Sequence, residues 1–285
     1  MESERDARKS GPSERVNAAP SAPPANLVNL RYTEADGVGL LTIDRPTVHN
    51  AISLATMDEL DRVLDWLEKG SQAGALVVVG AGERVFVSGG DLKDFEQLTT
   101  YDAAAAMSRR MQHLMARLSG LPMPVIGAIN GDCLGGGCEF ALATDIRIVS
   151  ESAHFGFKQV TLGITPAWGG RRRLVRLIGR SRTLMLLLSG DLIDANEALR
   201  LGLAERVVPA GEVLAAALEL GRSIARNPRG AVEAIKRAVD HDEVIGGEDA
   251  IEFEADGFAR TWISEDHYEA LAARKEKRAP KFRGR

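Results

Sequence analysis

The chain has 285 residues, 45% hydrophobic and 27% charged, and a formal net charge of −4. This balance suits a protein with a buried core and argues against a general binder of nucleic acid or anionic membranes, which would carry a net basic face. No apolar run approaches the ~18 residues that span a bilayer, the charged N-terminus lacks the apolar stretch of a secretory signal, and two cysteines cannot make a disulfide framework. We therefore predict a cytoplasmic protein that binds neither nucleic acid nor membranes.

Strand and helix patterns alternate along the chain after a polar, alanine- and proline-rich tail, which we predict to be disordered. Two short strand-like runs flank an Ala-Asp-Gly turn and predict a hairpin over 28–33 and 38–44. Apolar residues at helical spacing predict a helix over 53–70, and a second helix is predicted over about 101–119. Apolar runs predict buried strands over 75–80 and 124–130, and a further strand is predicted over 145–150. This alternation favours an α/β core with parallel strand pairing.

The character of the chain changes after about residue 170, where the patterns become helical and only 204–208 resembles a strand. We therefore predict three parts: a disordered tail over 1–26, an α/β core over 27–205 and a helical region over 206–285. The fold class is α/β followed by α.

Two glycine clusters, 88–90 and 135–137, stand at the ends of predicted strands. Glycine lets a ligand approach bare backbone N–H groups, and a helix that begins within 135–137 would add its own unpaired donors. Two such loops can form an oxyanion hole. Glu139 would share a helix face with Gly136, where a general acid or base is useful. Alone, however, a glycine triplet also serves turns and packing, and a lone glutamate is usually solvated.

Several motifs in a fixed order make the chain similar to the crotonase (enoyl-CoA hydratase/isomerase) superfamily. They are Arg45-Pro46 with Asn50-Ala51, then 88–93, 129–148, 154–157, 162–170, 173–179, 188–208 and 276–282. The resemblance implies a spiral of ββα units that holds the acyl-CoA site. It also implies a helical C-terminal region that forms a homotrimer or homohexamer, and a coenzyme A thioester as the substrate. No separate cofactor and no metal are expected.

The resemblance also assigns site residues. It places the thioester oxygen on the backbone N–H groups of Gly90 and Gly136. The substrate-binding residues that it implies besides these glycines are Ala51, Ser88, Asp91, Leu92, Lys93 and Trp168. Glu139 matches the first of two glutamates that hydratases use, whereas Gln159 stands at the second. A glutamine can orient water but cannot exchange a proton near neutral pH, so this departure weakens hydration without excluding it.

The expected activity is therefore enoyl-CoA hydration in fatty-acid or related acyl-CoA metabolism, with a decarboxylase of a malonyl-type acyl-CoA or an enoyl-CoA isomerase as alternatives. Trp168 resembles a tryptophan of decarboxylase relatives, and it can equally pack the pocket wall. A trimeric scaffold and an RNA-associated protein are the non-enzyme alternatives. Glu139 and the two glycine clusters argue against a scaffold, and the lack of aromatic residues in the basic C-terminal tail argues against RNA binding.

Other candidate residues receive structural interpretations. Cys133 and Cys138 lack a second cysteine pair for a zinc site, so we expect them to be small packing residues. Asp145 is expected to tie loops together. The arginine run 171–173 is expected to form a solvated or subunit-contact face, with attraction of coenzyme A phosphates as the alternative.

Overall fold

The strands form two sheets, one of six strands and one of four. The structure is a computed structural model that describes residues 22–242, 258, 260 and 262–284. Residues 1–21 of the predicted disordered tail lie outside the described residues. In the predicted helical region, residues 243–257, 259, 261 and 285 also lie outside them. Residues 22–26 contain neither helix nor strand.

The larger sheet has six strands in the order β1-β2-β3-β5-β7-β10, numbered along the chain. They are β1 Leu30–Ala35, β2 Val38–Ile43, β3 Ala75–Gly80, β5 Val125–Ile129, β7 Ile146–Ser150 and β10 Arg206–Val208. β1 and β2 form the predicted antiparallel hairpin, and the remaining neighbours pair in parallel. β3 is buried along its whole length, as its continuous apolar run predicts.

The smaller sheet has four strands of three residues each, in the order β4-β6-β8-β9. They are β4 Val85–Val87, β6 Asp132–Leu134, β8 His154–Gly156 and β9 Leu192–Asp194. The first three pair in parallel and β9 pairs antiparallel to β8. The expectation that 204–208 is the only strand after residue 170 is wrong, because β9 completes this sheet.

The helices lie between and around these strands. They are α1 Leu54–Lys69, α2 Leu92–Phe95, α3 Tyr101–Ser119, α4 Gly136–Ala141, α5 Gly170–Ser189, α6 Ala195–Leu201, α7 Val213–Ala225, α8 Arg229–Asp242 and α9 Glu265–Glu276, with 3₁₀ turns at Pro46–Val48 and Lys158–Leu162. α1 begins at Ser53, whose side chain accepts a hydrogen bond from the amide of Thr56. α5 bends at Gly179, where φ is 77°.

Successive units of the chain place one strand in each sheet and then a helix. β3 and β4 precede α2 and α3, β5 and β6 precede α4, and β7 and β8 precede α5. This repetition confirms the predicted α/β spiral of ββα units. The boundary at residue 205 stays a prediction; β10, which follows it, pairs with β7, and α7 packs on β3 and β5.

The main hydrophobic core lies between the sheets and helices α1 and α3, and a second cluster joins α7 to the other face of the larger sheet. Of the helices described, none combines the length and apolar character needed to cross a bilayer.

Candidate active site

Three parallel strands of the smaller sheet bring the predicted site segments together. β4 leads into the first glycine cluster, β6 leads into the second, and β8 leads into the turn that carries Gln159. In a parallel sheet the carboxyl ends of the strands lie at one edge, where α/β proteins bind ligands. The short strands therefore place residues 88–93, 135–139 and 157–159 beside one another.

The two glycine clusters are in direct backbone contact. A methyl group on the α-carbon of Gly89 would stand 3.0 Å from the amide nitrogen of Gly136, and Gly89 has a φ of +108°. A methyl group on Gly137 would stand only 1.7 Å from the carbonyl oxygen of Val87. A side chain at either position would separate the loops, so glycine is needed for their close approach.

The amide groups of Gly90 and Gly136 remain available within these loops. Neither donates to a carbonyl or side chain among the residues that the structure describes. The amide of Ile52 donates to the carbonyl oxygen of Gly89 at 2.8 Å, and the amide of Asp91 donates to the carbonyl oxygen of Ile52 at 2.9 Å. The residues on both sides of Gly90 are therefore held by Ile52. Gly136 is the first residue of α4, so its N–H has no partner within the helix. Two unpaired donors in touching loops can hold one acceptor oxygen.

Aromatic rings cover the α-carbons of both glycines. A methyl group on Gly90 would stand 2.4 Å from Cε2 of Phe95, and one on Gly136 would stand 2.5 Å from Cζ3 of Trp168. Trp168 is buried, with 3% of its surface exposed. The two rings therefore form apolar walls beside the two free amides.

Glu139 is buried on α4, one turn after Gly136, and both of its carboxylate oxygens are held. Oε1 accepts hydrogen bonds from the amides of Trp168 and Gly170, at 2.8 and 2.9 Å. Oε2 accepts one from Nε2 of Gln159 at 3.0 Å and one from the amide of Ala167 at 3.2 Å. These four donors fix the carboxylate at the start of α5.

The environment of Glu139 affects its affinity for a proton in two opposite ways. Burial raises the pKa of the carboxyl group above its ordinary value, while the four hydrogen bonds favour the ionised form and offset part of that rise. A carboxyl pKa that moves towards neutrality suits a group that must both take up and release a proton.

Gln159 lies in the 3₁₀ turn after β8, with 6% of its surface exposed. While its Nε2 donates to Glu139, its Oε1 is buried and accepts no hydrogen bond from any described residue.

The neighbouring Lys158 donates from Nζ to the carbonyl oxygen of Gly190, 2.6 Å away, at the end of α5. The ammonium group thus stabilises the negative end of that helix.

Arg45 connects two of the segments expected to bind coenzyme A. Its Nη1 donates to the carbonyl oxygen of Ala51 at 2.5 Å, and its Nη2 lies 2.9 Å from Oδ2 of Asp91. Asp91 also begins α2, where it accepts a hydrogen bond from the amide of Asp94. The resemblance points to Arg45 only as part of a motif, and the contact that explains it is visible only in the fold.

The remaining predicted substrate-binding residues differ in exposure. Ser88 is half-buried, and its amide donates to the carbonyl oxygen of His49. Leu92 and Lys93 are exposed on α2. The sequence does not point to Phe95, whose ring packs on Gly90, or to Ala167, whose amide donates to Glu139. Both contacts depend on the fold and not on a local sequence pattern.

The structural interpretations of the other candidates are largely supported. Cys133 and Cys138 are buried, the Cys138 thiol donates to the carbonyl oxygen of Cys133 at 3.0 Å, and burial raises the pKa of both thiols. Asp145 ties elements together, since its Oδ2 accepts from the amide of Val125 and from Nζ of Lys236. No group of three or more metal-binding side chains occurs in the described part of the chain.

The expectation of a solvated or subunit-contact face over 171–173 needs correction at Arg173. Its guanidinium donates to the carbonyl oxygen of Met115 and to Oγ of Ser119, so it packs against α3. Arg171 and Arg172 are exposed, as expected.

Comparison with known proteins agrees with this geometry. The family profile described as enoyl-CoA hydratase/isomerase matches residues 33–285. A short-chain-enoyl-CoA hydratase of Clostridium acetobutylicum is 38% identical over 252 residues, which cover 88% of this chain and 96% of the relative. A 2,3-dehydroadipyl-CoA hydratase of Escherichia coli is 35% identical, over 91% of this chain and 100% of the relative. The crystal structure of an enoyl-CoA hydratase from Bacillus anthracis superimposes with a TM-score of 0.87 at 34% identity, covering 90% of this chain and 100% of that chain.

Proposed function

The chain belongs to the enoyl-CoA hydratase/isomerase family, and we propose that it is an enoyl-CoA hydratase, which adds water to the double bond of a 2-enoyl-CoA. The observation that carries this proposal is the buried Glu139 one helical turn from the free amide of Gly136. A proton carrier and an anion site are the two elements that hydration of a conjugated thioester requires. The names of the relatives favour hydration over decarboxylation or isomerisation.

In the proposed reaction the free amides of Gly90 and Gly136 bind the thioester oxygen. When water attacks the β-carbon, the electrons of the double bond move to that oxygen and form an enolate. Donors that are already oriented stabilise this charge without reorganisation, because they belong to two loops that hold each other in place.

Glu139 carries the proton in this account. Its carboxylate accepts a proton from the attacking water while the oxygen of that water bonds to the β-carbon. The resulting carboxylic acid then gives the proton to the α-carbon, the enolate returns to a thioester, and a 3-hydroxyacyl-CoA is formed. One carboxyl group thus serves first as base and then as acid, which accommodates the absence of a second glutamate at position 159.

The finer parts of the proposal follow the resemblance. We assign the substrate to acyl-CoA metabolism such as that of fatty acids. In this proposal coenzyme A binds along Ala51 and 88–93, and the enzyme uses no separate cofactor. We also propose that the enzyme is cytoplasmic. A homotrimer or homohexamer is supported by large apolar side chains that this chain leaves exposed. Those on α5, β9 and α6 are Val175, Leu177, Met185, Leu188, Leu192 and Leu199.

The test is to incubate the purified chain separately with crotonyl-CoA, a 3-enoyl-CoA and a malonyl-type acyl-CoA, and to identify products by mass spectrometry. We expect 3-hydroxybutyryl-CoA from crotonyl-CoA to be the dominant product. Loss of carbon dioxide from the malonyl-type substrate without hydration of crotonyl-CoA would overturn the proposal in favour of a decarboxylase. A shifted double bond without hydration would indicate an isomerase.

A further inference from the structure

One peptide unit connects the candidate acid–base residue to α3. The N–H of this unit, at Trp168, donates to Oε1 of Glu139 at 2.8 Å. Its C=O, at Ala167, accepts a hydrogen bond of 2.8 Å from Oγ of Ser108 on α3. A trans peptide is planar, and its N–H and C=O point in opposite directions. A contact that holds the carbonyl oxygen therefore also sets the direction in which the amide meets the carboxylate.

The hydroxyl group of Ser108 bonds outside its own helix. Serines within helices commonly donate to a carbonyl oxygen of the preceding turn, as Ser119 does at the end of α3. Ser108 instead donates to Ala167, which is 59 residues away along the chain. Its Oγ also accepts a hydrogen bond of 3.2 Å from Nε2 of Gln112, one helical turn later. Gln112 therefore helps to direct the hydroxyl hydrogen towards the peptide.

Three hydrogen bonds run in one direction from α3 to the buried carboxylate. Nε2 of Gln112 donates to Ser108, and the hydroxyl group of Ser108 donates to the carbonyl oxygen of Ala167. The amide of the same peptide, at Trp168, donates to Glu139. Hydrogen bonds in such a chain polarise one another, so each one strengthens the next. Because the chain ends with an N–H on the carboxylate, it favours the ionised form of Glu139.

The rest of this face of α3 holds the neighbouring part of the same segment. Residues 108, 112, 115 and 119 recur at helical spacing and therefore lie on one face of the helix. A methyl group on Gly169 would stand 3.8 Å from Cγ of Gln112 and 3.0 Å from Nη1 of Arg173. The guanidinium of Arg173 donates in turn to the carbonyl oxygen at 115 and to the hydroxyl group at 119. Of these contacts, the one from Ser108 reaches a peptide whose N–H binds the carboxylate.

We propose that Ser108 is a positioning residue for Glu139, which it orients through the peptide between Ala167 and Trp168. This inference rests on the proposed hydratase function, in which Glu139 carries the proton. Ser108 itself exchanges no proton. Without its hydroxyl group, the carbonyl oxygen of Ala167 loses its side-chain donor, the peptide can rotate, and the bond from Trp168 to the carboxylate weakens. The same rotation moves the indole ring that packs on Gly136.

Removal of the serine hydroxyl leaves the charged groups around Glu139 in place. Two titratable groups interact electrostatically with its carboxylate, the Arg173 guanidinium of α5 and the Cys138 thiol of α4. Burial raises the pKa of this thiol and that of Cys133 on β6, so both stay neutral near neutral pH, and β4 carries no titratable side chain. On the 3₁₀ turn, the ammonium group of Lys158 is bound at the end of α5. A shifted titration of Glu139 therefore reports on its hydrogen bonds.

The experiment compares Ser108→Ala with Ser108→Thr, which keeps the hydroxyl group, and with Ser223→Ala, the same change at an exposed serine of α7. For each chain we measure kcat and KM for crotonyl-CoA hydration as a function of pH. Ser108→Ala should raise the midpoint of the acid limb of kcat/KM by about half a pH unit or more, because the ionised carboxylate loses part of its hydrogen bonding. It should lower kcat by about tenfold and change KM by less than about twofold. Ser108→Thr and Ser223→Ala should keep the wild-type midpoint.

A second measurement follows the carboxyl group without turnover. Infrared titration in D₂O gives the pKa of Glu139 in each variant, and the spectrum of Glu139→Gln identifies its band. This pKa should rise in Ser108→Ala by the same amount as the kinetic midpoint. Gln112→Met should raise it less, and adding Gln112→Met to Ser108→Ala should raise it no further, because Gln112 acts through the serine hydroxyl.

A lower kcat with an unmoved midpoint would overturn the proposal, because it would show that Ser108 only docks α3 on the segment 167–173. A midpoint raised equally by Ser108→Thr would also overturn it, since the hydroxyl group would not be the cause. If Ser108→Ala does not fold, Gln112→Met carries the test, and an unmoved pKa of Glu139 in that variant would contradict the chain of bonds. A wild-type chain that never hydrates crotonyl-CoA, with the infrared shift still present in Ser108→Ala, would instead refute the proposed function.

Discussion

The indole ring of Trp168 packs on the α-carbon of Gly136, where three of its ring atoms lie within 2.5–2.7 Å of the position that a methyl group would occupy. The ring therefore requires glycine at this position and stands directly beside the amide that we assign to the thioester oxygen. This relationship links the shape of the site to its proposed electrostatics and leads to the first two predictions.

Gly136→Ala should lower kcat/KM for crotonyl-CoA by about 10²–10³-fold, the usual effect of losing one oxyanion donor, because the methyl group displaces the amide or the ring. Adding Trp168→Ala in the same chain should recover part of this loss, since it removes the atoms with which the methyl group collides. Gly230→Ala is the matched control, because among the described residues its added methyl group meets no heavy atom within 4 Å beyond its chain neighbours and its own helix backbone. A double variant no better than Gly136→Ala would place the cause elsewhere.

Trp168→Ala should shift the substrate preference towards longer acyl chains. The side chain is buried beside the proposed anion site, so its removal opens space along the path of the acyl group. Each additional methylene accommodated in an apolar pocket is worth about 1–3 kcal/mol in discrimination. Steady-state kinetics with crotonyl-CoA and octenoyl-CoA measure the shift as a ratio of kcat/KM values. An unchanged ratio would show that Trp168 does not contact the acyl chain.

Arg45→Met should raise KM for crotonyl-CoA more than it lowers kcat. Its guanidinium holds the Ala51 carbonyl and the Asp91 carboxylate together, and both belong to the proposed coenzyme A site and not to the proton path. Arg45→Lys should restore little, because an ammonium lacks the two-pronged geometry of a guanidinium. Arg31→Met is the control, since this exposed arginine pairs only with Asp44 among the described residues. Equal changes in both constants for Arg45→Met would contradict a binding role.

The pH dependence should follow Glu139. Burial raises the pKa of its carboxyl group above 4.5, and hydration needs the ionised form first, so kcat/KM should fall on acidification with a midpoint above 4.5. The stability effect has the opposite sign: a carboxyl with a raised pKa in the folded state stabilises the protein most below its unfolded pKa, and this contribution is lost as pH rises through the folded value. Unfolding of wild type and Glu139→Gln across pH 4–8 should show this loss in wild type alone.

The longer elements are those that local patterns predict well. α1 lies within the predicted 53–70 between Ser53 and Gly70, and α3 spans the predicted 101–119. Both helices show apolar residues at helical spacing and a polar N-cap, which are local properties. The buried strands β3 and β5 are also predicted from a local property, since each is a continuous apolar run.

Local sequence patterns do not predict the smaller sheet, although its strands position the segments of the candidate site. Its strands have three residues each, too few to show periodicity, and they are defined by pairing between distant parts of the chain, such as Cys133 with Phe155. The contact between Gln159 and Glu139 depends on that pairing. The sequence indicates which residue types stand at 139 and 159, but only the fold shows that one amide end is bonded and the other is free.

The most direct test of the central claim is the effect of Glu139→Gln on hydration of crotonyl-CoA, measured together with the affinity for coenzyme A by calorimetry. We predict that kcat falls by about 10²–10⁴-fold, because the amide cannot carry a proton. The Kd for coenzyme A should stay within about twofold, because Glu139 does not belong to the proposed coenzyme A site. Hydration at the wild-type rate by a folded Glu139→Gln would contradict the assignment of Glu139 as the proton carrier.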